Sequence, residues 1–141
     1  MRDLKSNIQV AAGVSATLSG TTPAKGNIVD LRGFGSAALG LMTGTVTDAG
    51  TAAGFTIKLQ HSDTTADTDF ADYTDAGTIA VTDDASDDVA VGILGYVGGK
   101  RYVRCVVTGT TGTAAVINGI WTKGKPHRAP AGTADANIAA T

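Results

Sequence analysis

The chain has no glutamate: all thirteen of its acidic residues are aspartate. Glutamate favours helix interiors, whereas aspartate competes for backbone hydrogen bonds and collects in turns and caps. With nineteen glycines and abundant threonine, this composition argues against long helices and for many short strands joined by turns. Aromatic residues make up only 5% of the chain, so the core must rest on Val, Ile, Leu and Ala. Phe34, Phe55, Phe70, Tyr96, Tyr102 and Trp121 are its large pieces. A single cysteine, Cys105, excludes an intrachain disulfide; its place on an apolar alternating strand marks it as a small buried hydrophobe. No apolar run is long enough to span a bilayer. The opening residues, from Met1 to Asn7, lack the continuous apolar segment of a signal peptide, so synthesis and assembly in a cytoplasm are expected.

What is present has the size of one domain. The chain has 141 residues, and folding buries roughly two-thirds of the surface of an extended chain of this length. That supports one modest core and limited stability as an isolated monomer, which association would raise. The net charge of −2 gives no general drive toward nucleic acid. Its distribution is uneven: residues 61–88 hold nine Asp and no Lys or Arg, and residues 89–134 hold six Lys or Arg and no acid. Such a division reads first as two solvated faces, and second as complementary attraction between copies or toward a charged surface.

Alternation with a period of two locates the strands. Phe55, Ile57 and Leu59 lie on one face, with Thr56, Lys58 and Gln60 on the other. Residues 100–107 alternate in the same way after a Gly98-Gly99 turn, and residues 114–121 resume an apolar stretch, so the two are expected to pair as a long hairpin. Residues 8–18 read as a strand pair broken at Gly13, 19–25 as a loop around Pro23, and 27–31, 36–46, 77–81 and 89–96 as further strands. Phe70 and Tyr73 are expected to anchor the polar loop 62–69 to the core. The fold class is therefore all-β, an antiparallel β-sandwich or jelly-roll-like barrel of short strands with flexible termini. Residues 1–7 form an N-terminal arm, 8–126 the sandwich domain and 127–141 a C-terminal tail.

Catalytic constellations are lacking. His61-Ser62-Asp63 is a sequence triplet, but adjacent strand residues point to opposite faces, so it is not a triad. His127 sits in a basic segment suited to surface contact. Asp63, Asp67, Asp69 and Asp72 lack the glycine and closing bidentate glutamate of an EF-hand; they and the pairs Asp83-Asp84 and Asp87-Asp88 read as turn-forming residues, not metal ligands. Gly33-Phe34-Gly35 is not followed by a helix signature and cradles no phosphate. Lys123, Lys125 and Arg128 beside Trp121 are thin grounds for a nucleic-acid contact, because Trp121 lies in an apolar strand. No catalytic residue, cofactor or metal site is assigned.

Four segments carry a resemblance: Leu31-Arg32-Gly33-Phe34; Lys58-Leu59-Gln60-His61-Ser62-Asp63; the run from Gly95 to Arg104; and Lys123-Gly124-Lys125-Pro126. In their order and spacing, over roughly residues 3–130, they resemble small capsid-decoration (cement) proteins of tailed bacteriophages. The resemblance implies a non-enzymatic virion protein on the outer capsid surface, made in the host bacterial cytoplasm. Its partners would be the major capsid protein and further copies of itself, as a trimer at local three-fold positions, with no nucleic acid and no membrane. A carbohydrate-binding or host-adhesion module, or a tail or baseplate subunit, would share the fold class.

Overall fold

The computed structural model describes residues 3–127. Among the described residues, ten strands form two antiparallel sheets. The first sheet has the order β1-β10-β4-β8, built from Gln9–Ser19 (β1), Phe34–Asp48 (β4), Ala90–Tyr96 (β8) and Ala114–Pro126 (β10). In the second, Tyr102–Thr108 (β9) and Phe55–Ser62 (β5) are central. Ala24–Lys25 (β2) and Val29–Asp30 (β3) flank β9, while Ala71–Tyr73 (β6) and Ile79–Val81 (β7) flank β5. The sheets stay separate hydrogen-bonded sets, which makes the architecture a sandwich. Among the described residues, no helix is long and apolar enough to cross a membrane.

The alternation read from the sequence decides what lies between the sheets. Phe55, Ile57 and Leu59 from β5, and Val103, Cys105 and Val107 from β9, face Leu39 and Leu41 from β4, Ile117 and Trp121 from β10, and Leu94 and Tyr96 from β8 in one core. Trp121 is fully buried, in register with Leu39 on one side and Ala11 on the other. Its indole Nε1 has no hydrogen-bond partner, a cost of about 1–3 kcal/mol that burial of the ring must offset. Cys105 is wholly buried, and desolvation pushes its thiol up to about 12.

The structure corrects four expectations about the strands. Residues 102–108 and 114–126 do not form a hairpin: β9 belongs to the second sheet, and β10 inserts between β1 and β4 in the first. The turn joining them crosses the sandwich, fixed by the Thr113 amide on the Thr110 carbonyl (3.0 Å) and the Thr113 hydroxyl on the Ala49 carbonyl (3.1 Å). Crossing lets each strand bury its apolar side from opposite layers. Residues 9–19 are one strand, not a broken pair. Gly13 makes a bulge in the β1–β10 register, where a Cβ would lie 2.6 Å from Leu39 Cδ1 and 2.8 Å from the Gly119 carbonyl. Three strands of the first sheet are not short: β1, β4 and β10 run 11, 15 and 13 residues. Finally, the stretch around Pro23 supplies β2.

At the N-terminus, Lys5–Asn7 is a 3₁₀ turn preceded by Asp3, whose carboxylate accepts from the Lys5 amide (3.1 Å) and the Ser6 hydroxyl (2.6 Å). The expected C-terminal tail lies, from residue 128 onward, outside the described residues.

Candidate interaction surface

The sandwich has two ends and two outer faces, and each is chemically distinct. One end gathers residues 31–34, 61–63, 96–101 and 123–127. Arg101 donates Nε and Nη2 to the two oxygens of Asp30 at 3.0 and 2.8 Å. This bidentate contact, helped by the Arg32 amide at 2.9 Å, holds the Asp30 carboxyl below the ordinary carboxylate range. Lys123, almost fully buried, donates to the Asp30 carbonyl at 3.2 Å and places its ammonium 4.6 Å from the centre of the Phe34 ring. The His127 amide bonds the Gly33 carbonyl at 2.8 Å, so β10 leaves the described domain at this end.

On the same end the Tyr96 hydroxyl accepts from the Lys100 amide and lies 3.0 Å from His61 Nδ1. Burial raises the Tyr96 phenol above its usual range. Gly98 is required there: a Cβ would fall 2.6 Å from the Tyr96 hydroxyl. Lys100 donates to Asp63 at 2.5 Å, a contact that raises its ammonium pKa. Between these groups lies an open cleft of about 440 Å³ floored by Leu31, Gly33 and Tyr96 and rimmed by Lys100 and Arg101. Arg32, Lys100, Arg101, Lys123 and Lys125 against Asp30 and Asp63 make this the basic end.

The opposite end is acidic. Asp48, Asp83, Asp84, Asp87 and Asp88 cluster there with no Lys or Arg in the loop. Several of these carboxylates hold backbone: Asp87 accepts from the Val46 amide at 2.6 Å, Asp84 from Ala49 at 2.7 Å and Asp48 from Gly50 at 2.7 Å. Thr43, buried, donates its hydroxyl to the Ser86 carbonyl and accepts from the Val89 amide. The acidic loop is thus strapped to the far part of β4. At a rise of about 3.4 Å per residue, the basic and acidic ends stand about 40 Å apart. The division of charge along the sequence has become a division between the two ends of one domain.

The outer face of the second sheet carries a connected polar network. Lys25 donates to Asp67 at 2.6 Å, and Asp67 also accepts from Arg104. Arg104 reaches Gln60 (3.0 Å), Gln60 reaches Asp72 (2.9 Å), and Asp72 accepts from Lys58 (2.7 Å). Phe70 covers the Arg104 guanidinium at 4.2 Å, so Phe70 anchors the 62–69 loop to this network, while Tyr73 anchors it to the core.

The outer face of the first sheet is the reverse. Its four strands hold only three charged residues, Asp48, Lys123 and Lys125, all near strand ends. Cross-strand rows run Val10-Thr122-Ala38-Gly95, Ala12-Ile120-Gly40-Ile93 and Ser15-Asn118-Met42-Ala90. Ile93, Ile120 and Met42 are 72, 51 and 46% exposed. Nothing in composition or motif flagged this face; the absence of charge from residues 9–19, 34–47 and 90–96 was its signal.

The weighed chemical constellations are dispersed. Ser62 is buried and accepts from the Thr64 amide (3.0 Å), while His61 is tied to Tyr96. Asp63, Asp67 and Asp72 each serve a different cation, and Asp69 accepts from the Thr64 hydroxyl (2.5 Å). Among the described residues, no three metal-ligating side chains converge. Trp121 presents no ring surface to solvent. Comparison with known protein families and with characterised proteins gives no match.

Proposed function

We propose that the chain is a non-enzymatic structural protein that decorates the outer surface of a tailed-phage capsid and stabilises it by bridging major capsid subunits. The observation that supports this reading is the meeting, at one basic end, of the segments that resemble cement proteins: Arg32 to Phe34, His61 to Asp63, Tyr96 to Arg101 and Lys123 to His127. Segments far apart in sequence that build one exposed surface are suited to recognising a partner. This end offers free cations in Arg32 and Lys125, a shallow cleft, and the point where the C-terminal segment departs.

The mechanism is geometric. A rigid β-domain seated across two shell subunits adds interface that neither contact supplies alone, and repetition over a lattice multiplies weak contacts. The test mixes the full chain with mature heads lacking it, followed by sedimentation and cryo-electron microscopy. Ordered density at lattice positions, lost with Arg32→Glu plus Lys125→Glu, is the expected result. A folded protein that ignores heads but binds glycans or cells overturns the reading in favour of an adhesion module; label on the tail would favour a tail or baseplate subunit.

A further inference from the structure

Two glycines on the uncharged face have no explanation within the protomer. Gly40 lies in the middle of β4 and Gly95 in β8, positions where glycine weakens a strand. At Gly95 a Cβ would meet nothing within 4 Å, and at Gly40 only the Ile120 carbonyl at 4.0 Å. Neither has the positive φ that demands glycine. Gly13 and Gly119 differ, because there a Cβ would strike Leu39 and Leu41 at 2.6 and 2.9 Å. Bare backbone on an outward sheet face fits the close approach of another surface. Gly40 sits in register between Ile120 and Ile93, which makes a slot floored by main chain and walled by two exposed isoleucines.

We infer that a second copy of this chain packs on this face, the two first sheets stacked about a two-fold axis that runs across the strands, so that each basic end lies beside its partner's acidic end. Three features select the occupant. The face is self-complementary: projecting Ile93, Ile120 and Met42 alternate with recessed Gly40, Ala38 and Gly95, so one sheet can seat its knobs in the other's hollows. Its extent suffices, since β1, β4 and β10 at about 40 Å and the shorter β8 at about 24 Å, spaced about 4.8 Å apart, offer about 700 Å² per copy, close to the roughly 800 Å² per partner of a stable interface. Charge sets the direction. A two-fold axis along the strands would put Arg32 and Lys125 of both copies together, and Asp83 to Asp88 of both copies together; an axis across the strands opposes them. No charge is covered here, and the side-chain oxygen of Asn118 already accepts from the Ser15 hydroxyl at 3.1 Å.

This inference is independent of the capsid reading, because it is tested on the purified full chain without heads. Sedimentation equilibrium up to about 100 µM, a weak-complex range, is expected to give a dimer. Gly40→Leu fills the slot, its Cβ meeting only the Ile120 carbonyl at 4.0 Å, so it should raise the dimer Kd at least about 100-fold while the circular dichroism spectrum of the folded sandwich is kept. Ile93→Lys gives the same readout by adding a charge. Arg32→Glu with Lys125→Glu should weaken the dimer about 10-fold and reduce its salt sensitivity; a dimer with like ends together would not be weakened. A monomer throughout, a trimer, or a dimer indifferent to both face variants overturns the proposal.

Discussion

The outer faces of the two sheets solve the same problem in opposite ways. Both are the wet sides of antiparallel sheets sharing one core. The second sheet spends its outward positions on ions and satisfies them internally, from Lys25 through Asp67, Arg104, Gln60 and Asp72 to Lys58. The first leaves its outward positions uncharged, with isoleucine and methionine exposed beside bare glycine. A face that holds its own loop down is stabilised by the protomer's interactions. A face that offers apolar knobs and unfilled hollows is incomplete until something covers it.

Substitutions should separate the two. The largest effect belongs to Arg104→Ala, which removes a guanidinium held by Asp67, Gln60 and the Phe70 ring; chemical denaturation should show a loss of about 2–3 kcal/mol. Thr43→Val comes next. It strips the hydroxyl that holds both the Ser86 carbonyl and the Val89 amide, and should cost about 1–3 kcal/mol and release the acidic loop to faster amide exchange. Ile93→Ser on the uncharged face should change protomer stability by less than about 0.5 kcal/mol, so an equal loss from Ile93 and Arg104 variants would collapse the contrast.

Acid should act on one face only. The ammonium of Lys25 and the Arg104 guanidinium lower the pKa of Asp67, and Lys58 and Gln60 lower that of Asp72, below the ordinary 3.8. A carboxyl depressed in the folded state contributes stability that is present above its unfolded pKa and lost as pH falls through the folded one. The polar network should therefore weaken below about pH 4, and a stability titration of Asp72→Asn should show a shallower acid limb. The smallest effect is kinetic: the wholly buried Cys105, its thiol raised to about 12, should react with a thiol reagent only at the rate of unfolding.

Much of the fold was legible in the chain. The period-two pattern in residues 55–60 correctly put Phe55, Ile57 and Leu59 in the core, and Cys105 and Trp121 are buried as expected; Phe34, Phe70 and Tyr102, also expected in the core, lie outside it. The missing glutamate and the abundance of glycine pointed to an all-β fold. The pairing of residues 102–108 with 114–126 failed because alternation shows that a strand has a buried side and is silent on which sheet supplies its neighbours; a short turn can close a hairpin or cross between layers. The candidate surface was half legible. The charge division was plain, but its placement at opposite ends depends on β4 running the length of the domain, and the uncharged face depends on four strands drawn from residues 9 to 126.

Composition and side-chain period, which act through local backbone preference and burial, were enough by themselves to make this an all-β domain with a defined inside. The tertiary structure alone decided that β10 is threaded between β1 and β4, that residues 31–34, 61–63, 96–101 and 123–127 meet at one basic end, and that glycine at positions 40 and 95 faces open space. Those outcomes depend on contacts between residues tens of positions apart, whose geometry is set by how two twisted sheets pack around a shared core.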